Sequence, residues 1–191
     1  MEERELIVSS SESTLADVLR KELASSSTSI IISAFIGNGL HNVLVREIES
    51  AVARGNEVKI LTSTMDNFND PEVIRSFQER ASELRIYDHD SGGAAFHVKS
   101  YIFLSGRSER ENVIIIGSSN FTHMGLSRNK EWNVLLRGDR EVLEQALEEF
   151  EHYWEHESFV PDEEFYARYH ARKPLELAGT AESQPEFHAP E

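Results

Sequence analysis

The 191-residue chain contains no cysteine, which excludes disulfides, thiol nucleophiles and cysteine-ligated zinc or iron–sulfur sites. It also lacks a long apolar run. The longest, Ser29 to Ile36, falls far short of the ~20 residues a membrane span requires. The opening Met1–Glu5 is acidic where a secretory leader is basic, so the expectation is a soluble, cytoplasmic protein with no membrane partner. Positive charge is scarce: 19 Lys and Arg, five of them lysine, stand against 34 acidic residues, a formal net charge of −15. A surface of that sign repels polyanions, so binding nucleic acid requires a local basic patch or high salt. What the chain does have is length for about one domain and 39% hydrophobic residues, enough to bury one core.

Hydrophobic periodicity predicts strands alternating with helices. Glu5–Val8 reads as a strand and Ser13–Ala24 as a helix, with Leu15, Val18, Leu19 and Leu23 on one stripe. Thr28–Phe35 is a β-branched run of the kind buried on both faces. Helix over Leu40–Ala53, strand over Glu57–Thr62, a helix opened by Asp70-Pro71 and strand over Glu83–Tyr87 follow. A turn at Asp88–Gly93 changes the pattern. Ala95–Leu104, Val113–Gly117 and Glu131–Leu136 then read as strands in hairpin-like succession, and Arg140–His156 as a long amphipathic helix capped by Asp139. A shorter helix is expected over Asp162–Arg172. The fold class is therefore α/β, a mixed, largely parallel central sheet flanked by helices. The expected organisation is a single domain over 1–173 and a disordered Pro- and Glu-rich tail over 174–191.

The chemistry concentrates between residues 97 and 131. His97 and Lys99 lie two apart on a predicted strand, which points both to one face of an otherwise apolar segment. The strand Val113–Ile116 ends in Gly117-Ser118-Ser119-Asn120, small residues that let backbone and short polar side chains approach a ligand. Glu131 opens the next strand. A neutral imidazole can attack phosphorus and split a hydrolysis into two easier steps. Lys99, Ser118 and Asn120 can meet the negative charge developing on phosphoryl oxygens, and Glu131 can orient the imidazole. The set calls for no metal and no cofactor.

In that order, His97-x-Lys99, Gly117-Ser118-x-Asn120-Phe121-Thr122 and Asn129-x-Glu131-x-Asn133 resemble the phospholipase D superfamily, most closely its short bacterial and archaeal nuclease members and the related domains of metal-independent restriction endonucleases. Ile32–Ile36 and Gly55–Thr64 fit the first half of that family, so the resemblance covers roughly residues 5–155. It implies a phospholipase D-like layered fold, DNA as the favoured substrate and a covalent phosphohistidine. The family's chemistry uses two HxK motifs, and this chain has one. The resemblance therefore implies a two-fold homodimer in which one His97 attacks and the other protonates the leaving oxygen. The family's fuller motif carries an Asp five residues after the Lys. Here that position is Leu104, which tilts the expectation towards a nuclease and away from a phospholipase.

Arg107, Arg110, Arg128 and Lys130 form the expected basic patch, and His123 flanks the Ser118 loop as a further substrate contact. Two motifs are set aside. Gly37-Asn38-Gly39 lacks the third glycine of a dinucleotide fingerprint, and His152–His156 matches a zinc-peptidase pattern but lies on a strongly acidic helix, where it reads as a solvated face. Leu104 and the net charge also leave room for a non-catalytic reading, a nucleic-acid- or protein-binding module serving a helicase or restriction system.

Overall fold

The computed structural model describes residues 2–8, 13–37, 44–89, 95–106 and 111–176. The chain divides into two compact units, Met1–Pro161 and Asp162–Glu191. Eight strands in the first unit form one sheet: β1 (Glu3–Val8), β2 (Thr28–Ser33), β3 (Glu57–Ser63), β4 (Glu83–Tyr87), β5 (Lys99–Leu104), β6 (Val113–Gly117), β7 (Trp132–Arg137) and β8 (Ser158–Phe159), in the order β1-β7-β6-β5-β2-β3-β4-β8. Its helices are α1 (Leu15–Leu23), α2 (Val45–Ala53), α3 (Pro71–Gln78), α4 (His123–Ser127) and α5 (Arg140–His156). The mixed α/β class is as the sequence indicates, but the sheet is not largely parallel. Only β2–β3 and β3–β4 run parallel; every other pair is antiparallel. The reason is topological. Helical crossovers bring adjacent strands back in the same direction only at β2–β3 and β3–β4, whereas β5, β6 and β7 meander and β7 closes against β1.

Each element follows from its local chemistry. Thr14 and Asp17 form a reciprocal capping box on α1, Asp70 caps α3 with Pro71 in its first turn, and Asp139 caps α5; each cap satisfies amides the helix leaves without partners. One face of the sheet packs Ile30, Ile32, Ile102 and Ile114 against Leu143, Phe150 and Trp154 of α5. On the other face Tyr101, Phe121 and Phe77 make a continuous aromatic contact. Boundaries shift by a few residues: β5 begins at Lys99, so His97 precedes the strand rather than lying on it. Residues 40–43 of the second expected helix, most of the turn after Asp88, Arg107 and Arg110 lie outside the described residues, as does the expected tail beyond Glu176.

The second unit contains α6 (Glu163–Glu176). Asp162 accepts the Phe165 amide at 2.8 Å, and the Phe165 and Tyr169 rings stack at 5.3 Å. No helix among the described residues is long and apolar enough to cross a membrane.

Candidate active site

The site forms at the end of the sheet where β2 and β6 finish and β5 and β7 start. Lys99, the first residue of β5, pairs across the ladder with Ser33, the last of β2. Its side chain is 7% exposed, and its Nζ donates to the His97 carbonyl at 2.8 Å and contacts His97 Nδ1 at 2.9 Å. Burial lowers the Lys99 pKa by disfavouring its charged form, while the Glu131 carboxylate opposes that shift. His97 is exposed, and its neighbour Phe96 is buried against Tyr87, ring to ring at 4.6 Å. The backbone is thus anchored one residue away from an imidazole left open to solvent.

Ser33 links this pair to the loop after β6. Its hydroxyl donates to the Phe35 carbonyl at 2.7 Å, accepts the Phe121 amide at 2.9 Å and lies 3.4 Å from Asn120 Oδ1. The Phe35 amide also reaches Asn120 Oδ1, at 3.4 Å, so the Asn120 carboxamide oxygen is engaged by protein. Its Nδ2, a donor suited to an anionic ligand, has no partner among the described residues. Ser118 donates its hydroxyl to Glu131 and accepts the Trp132 amide at 3.1 Å. Asn129 Nδ2 adds a 3.4 Å contact to the other Glu131 oxygen. Among the described residues no hydrogen bond joins Glu131 to His97. The expected carboxylate–imidazole pair is replaced by Lys99 on Nδ1, with Glu131 turned towards Ser118.

Several further residues position the site, some inside the sequence motifs and some outside them. Asn133, buried, donates to Ser119 Oγ at 2.9 Å and accepts the Ser119 amide at 3.3 Å. Tyr101, fully buried with its phenol pKa raised by burial, donates to the Ser119 carbonyl at 2.7 Å. Ser119 is thus the fastening that lets its neighbours Ser118 and Asn120 face outward. Gly117 is required by closeness: a Cβ there would meet Asn133 Oδ1 at 2.3 Å and the Trp132 carbonyl at 2.4 Å. Gly37 owes its identity to the same loop, since a Cβ would fall 2.8 Å from Thr122 Cα and its amide donates to the Phe121 carbonyl at 2.7 Å. Asn69, which no motif singled out, donates to Ala34 O and Ser63 O and accepts the Ile36 amide, locking the exit of β2.

Arg128 and Lys130 are exposed, and neither makes an ion pair among the described residues. His123 opens α4 beside the loop, with a buried Nδ1 that has no hydrogen-bond partner among the described residues. Leu104 sits five residues along β5 from Lys99, about 17 Å at the usual strand rise, opposite Thr28 and against the α5 core. It cannot touch a group bound at His97, so the missing Asp belongs to packing at the far end of the strand. His152 and His156 lie 5.4 Å apart, ring to ring, and His152 pairs with Glu157 at 3.3 Å. Among the described residues no group of three or more His, Asp or Glu is placed to hold a metal ion. A cleft of about 630 Å³ beside β1 and α1 includes Glu3, Glu5, Asp17 and Glu22 and none of the site residues.

Residues 19–154 match the family model described as cardiolipin synthase, PLD-like domain. No curated protein matches the chain by sequence. Among solved structures, NucT from Helicobacter pylori aligns with a TM-score of 0.63 and 17% identity, covering 84% of this chain and all of that one. Nuc from Salmonella typhimurium, described as a phospholipase D family member, gives 0.60 and 16% over 84% of this chain and all of that one. The phosphatidylserine synthase of Haemophilus influenzae Rd KW20 gives 0.60 and 13% over 93% of this chain and 46% of that one.

Proposed function

The chain belongs to the PLD-like family of cardiolipin synthase-type domains, and from that premise we propose that it is a metal-independent phosphodiesterase, a DNA nuclease working through a phosphohistidine shared across a homodimer. The observation that carries the reading is the convergence on Ser33 of an open imidazole, a buried lysine and an unused carboxamide donor. His97 Nε2 attacks phosphorus, forming the N–P bond while the P–O bond to one nucleoside breaks. The leaving oxygen takes its proton from the second protomer's imidazole. Water then attacks the phosphohistidine, giving its proton back to that imidazole, and His97 departs. Lys99 and Asn120 Nδ2 hold the phosphoryl oxygens as their charge grows.

Attack through Nε2 requires the ring proton on Nδ1. With Lys99 as an ammonium on Nδ1, the neutral ring carries its proton on Nε2 instead. Substrate phosphate draws the ammonium away and frees Nδ1 to donate, coupling nucleophile activation to occupancy. The second imidazole has a surface to arrive on. Leu6, Val8, Ile116, Trp132 and Val134 are all exposed, and the register pairs Leu6 with Val134, Val8 with Trp132 and Ile116 with Val134. They form one contiguous apolar strip on the same face of the sheet as α5, continuing past the Ile114 and Leu136 that α5 covers and ending beside Ser118 and Glu131. A second copy covers that strip and completes the site.

The test is hydrolysis of DNA in EDTA by the wild type and His97→Ala. Cleavage that persists in EDTA and disappears in the variant is the expected result; metal-dependent cleavage, or turnover unaffected by the substitution, rejects the mechanism. The family description favours one second reading, a phospholipid phosphodiester as substrate. Vesicles of phosphatidylglycerol and cardiolipin provide the comparison arm, and turnover there in the absence of DNA cleavage would establish it.

A further inference from the structure

Phe68 is 69% exposed, a large apolar ring left in solvent, yet it is held in place. Asn67 takes a left-handed φ of 50° that turns the chain outward, a conformation asparagine tolerates better than most residues. Buried Asn69 anchors the other side through bonds to Ala34, Thr62 and Ser63. The ring rests on Phe35 at 4.8 Å, and Phe35 in turn meets His97 in a T-shaped contact at 6.0 Å. An unbroken aromatic path therefore runs from an open π-face to the imidazole, over a distance a nucleotide can bridge.

We infer that Phe68, backed by Phe35, is a stacking platform for an unpaired nucleobase next to the scissile phosphate, making single-stranded DNA the substrate class. This rests on the nuclease reading above. In a duplex both faces of a base are covered by its neighbours, so a side-chain ring can stack only on a base out of the helix. The charge balance points the same way. With a net charge of −15, the surface as a whole repels a phosphate backbone. Stacking is indifferent to that deficit and tolerant of sequence.

The experiment compares kcat/KM in EDTA on a single-stranded oligonucleotide, its duplex and a single strand of abasic residues, for the wild type, Phe68→Ala and Phe68→Trp. The wild type is expected to prefer the single strand over the duplex. Phe68→Ala loses about tenfold on the single strand, the scale of one base–aromatic stack, keeps its rate on the abasic strand, and Phe68→Trp restores the loss. Sedimentation velocity of Phe68→Ala is expected to match the wild type. An unchanged rate on the single strand overturns the platform. So does an equal loss on the abasic strand, which would make Phe68 a packing support for His97, or a change in assembly, which would make it an interface residue. Absence of wild-type turnover on all three strands rejects the nuclease reading itself, a result separable from the others.

Discussion

Lys99 is the residue where function and stability are opposed. Its ammonium is buried, and burial holds its pKa below the ordinary 10.5. Below that lowered value both folded and unfolded chains carry the proton and the cost of burying it is constant. As pH rises from the lowered value to 10.5, the fold has released the proton while the unfolded chain keeps it, so stability contributed at this site increases with pH. Lys99→Met removes the buried charge. The expected outcome is a denaturant midpoint at or above wild type at pH 7, without the alkaline gain, together with a loss of phosphodiesterase activity of about a hundredfold or more. Paired urea titrations at neutral and alkaline pH check the sign. A midpoint well below wild type would show that Lys99 acts as a structural strut. Gly117 is the opposite case, with no chemistry of its own. A Cβ pressed against Asn133 and the Trp132 backbone has no flexible neighbour to displace, so Gly117→Ala is expected to destabilise the fold by about 3 kcal/mol, read by chemical denaturation.

At the scale of elements, the site is a junction of strand ends stapled by polar side chains. Asn69 joins the β2 exit, the β3 end and the turn bearing Phe68 through one buried carboxamide. Asn69→Ala removes the acceptor of the Ile36 amide and the carboxamide donor to Ser63 O, while Ala34 O keeps the Ser63 hydroxyl at 3.0 Å; the cost is about 2 kcal/mol, and activity is expected to fall beyond what the lost stability explains, because Phe35 and Ser33 both lean on that exit. Hydrogen exchange at Ile36 checks it. Protection unchanged from wild type would mean that the backbone is held by other groups. This junction also marks how far the sequence could be read. Periodicity in residues 28–35, 113–117 and 140–156 announces its elements because burial dictates it. His97, Lys99, Ser118, Asn120 and Glu131 are visible as residue types suited to phosphoryl transfer. The partners that aim them are less so: Asn69 lies in no motif, and Ser33 and Asn133, though inside matched segments, acquire a role only once distant strands are brought together. Sheet direction is hidden for the same reason. A β-branched run looks alike in parallel and antiparallel ladders, and only the connection lengths in the second half separate the two. The Glu131 orientation lay beyond any pattern, since competition between Ser118 and His97 for one carboxylate is decided by side-chain geometry.

For the whole molecule, the decisive opposition is between an apolar strip that favours association and a net charge that resists it. Covering Leu6, Val8, Ile116, Trp132 and Val134 removes exposed apolar surface, and a stable pair needs about 800 Å² buried on each partner, so the proposed pair requires contacts beyond the strip. Bringing two copies of net charge −15 together adds a repulsion that reaches about 30 Å at 0.01 M salt and only about 3 Å at 1 M. Apolar burial is not weakened by such screening, and excluded salts strengthen it. Self-association through this strip is therefore expected to tighten as salt rises, and the specific activity of a shared site should rise with it at low protein concentration. Sedimentation equilibrium across that salt range measures the first and EDTA-resistant hydrolysis at nanomolar enzyme the second. A charge placed in the strip, Val134→Lys, should leave a folded monomer by circular dichroism and sedimentation, with activity lost at every salt concentration. An interface held by ion pairs would instead weaken with salt, which removes the strip as the contact; a self-sufficient protomer would stay active as Val134→Lys, which removes the second imidazole from the mechanism.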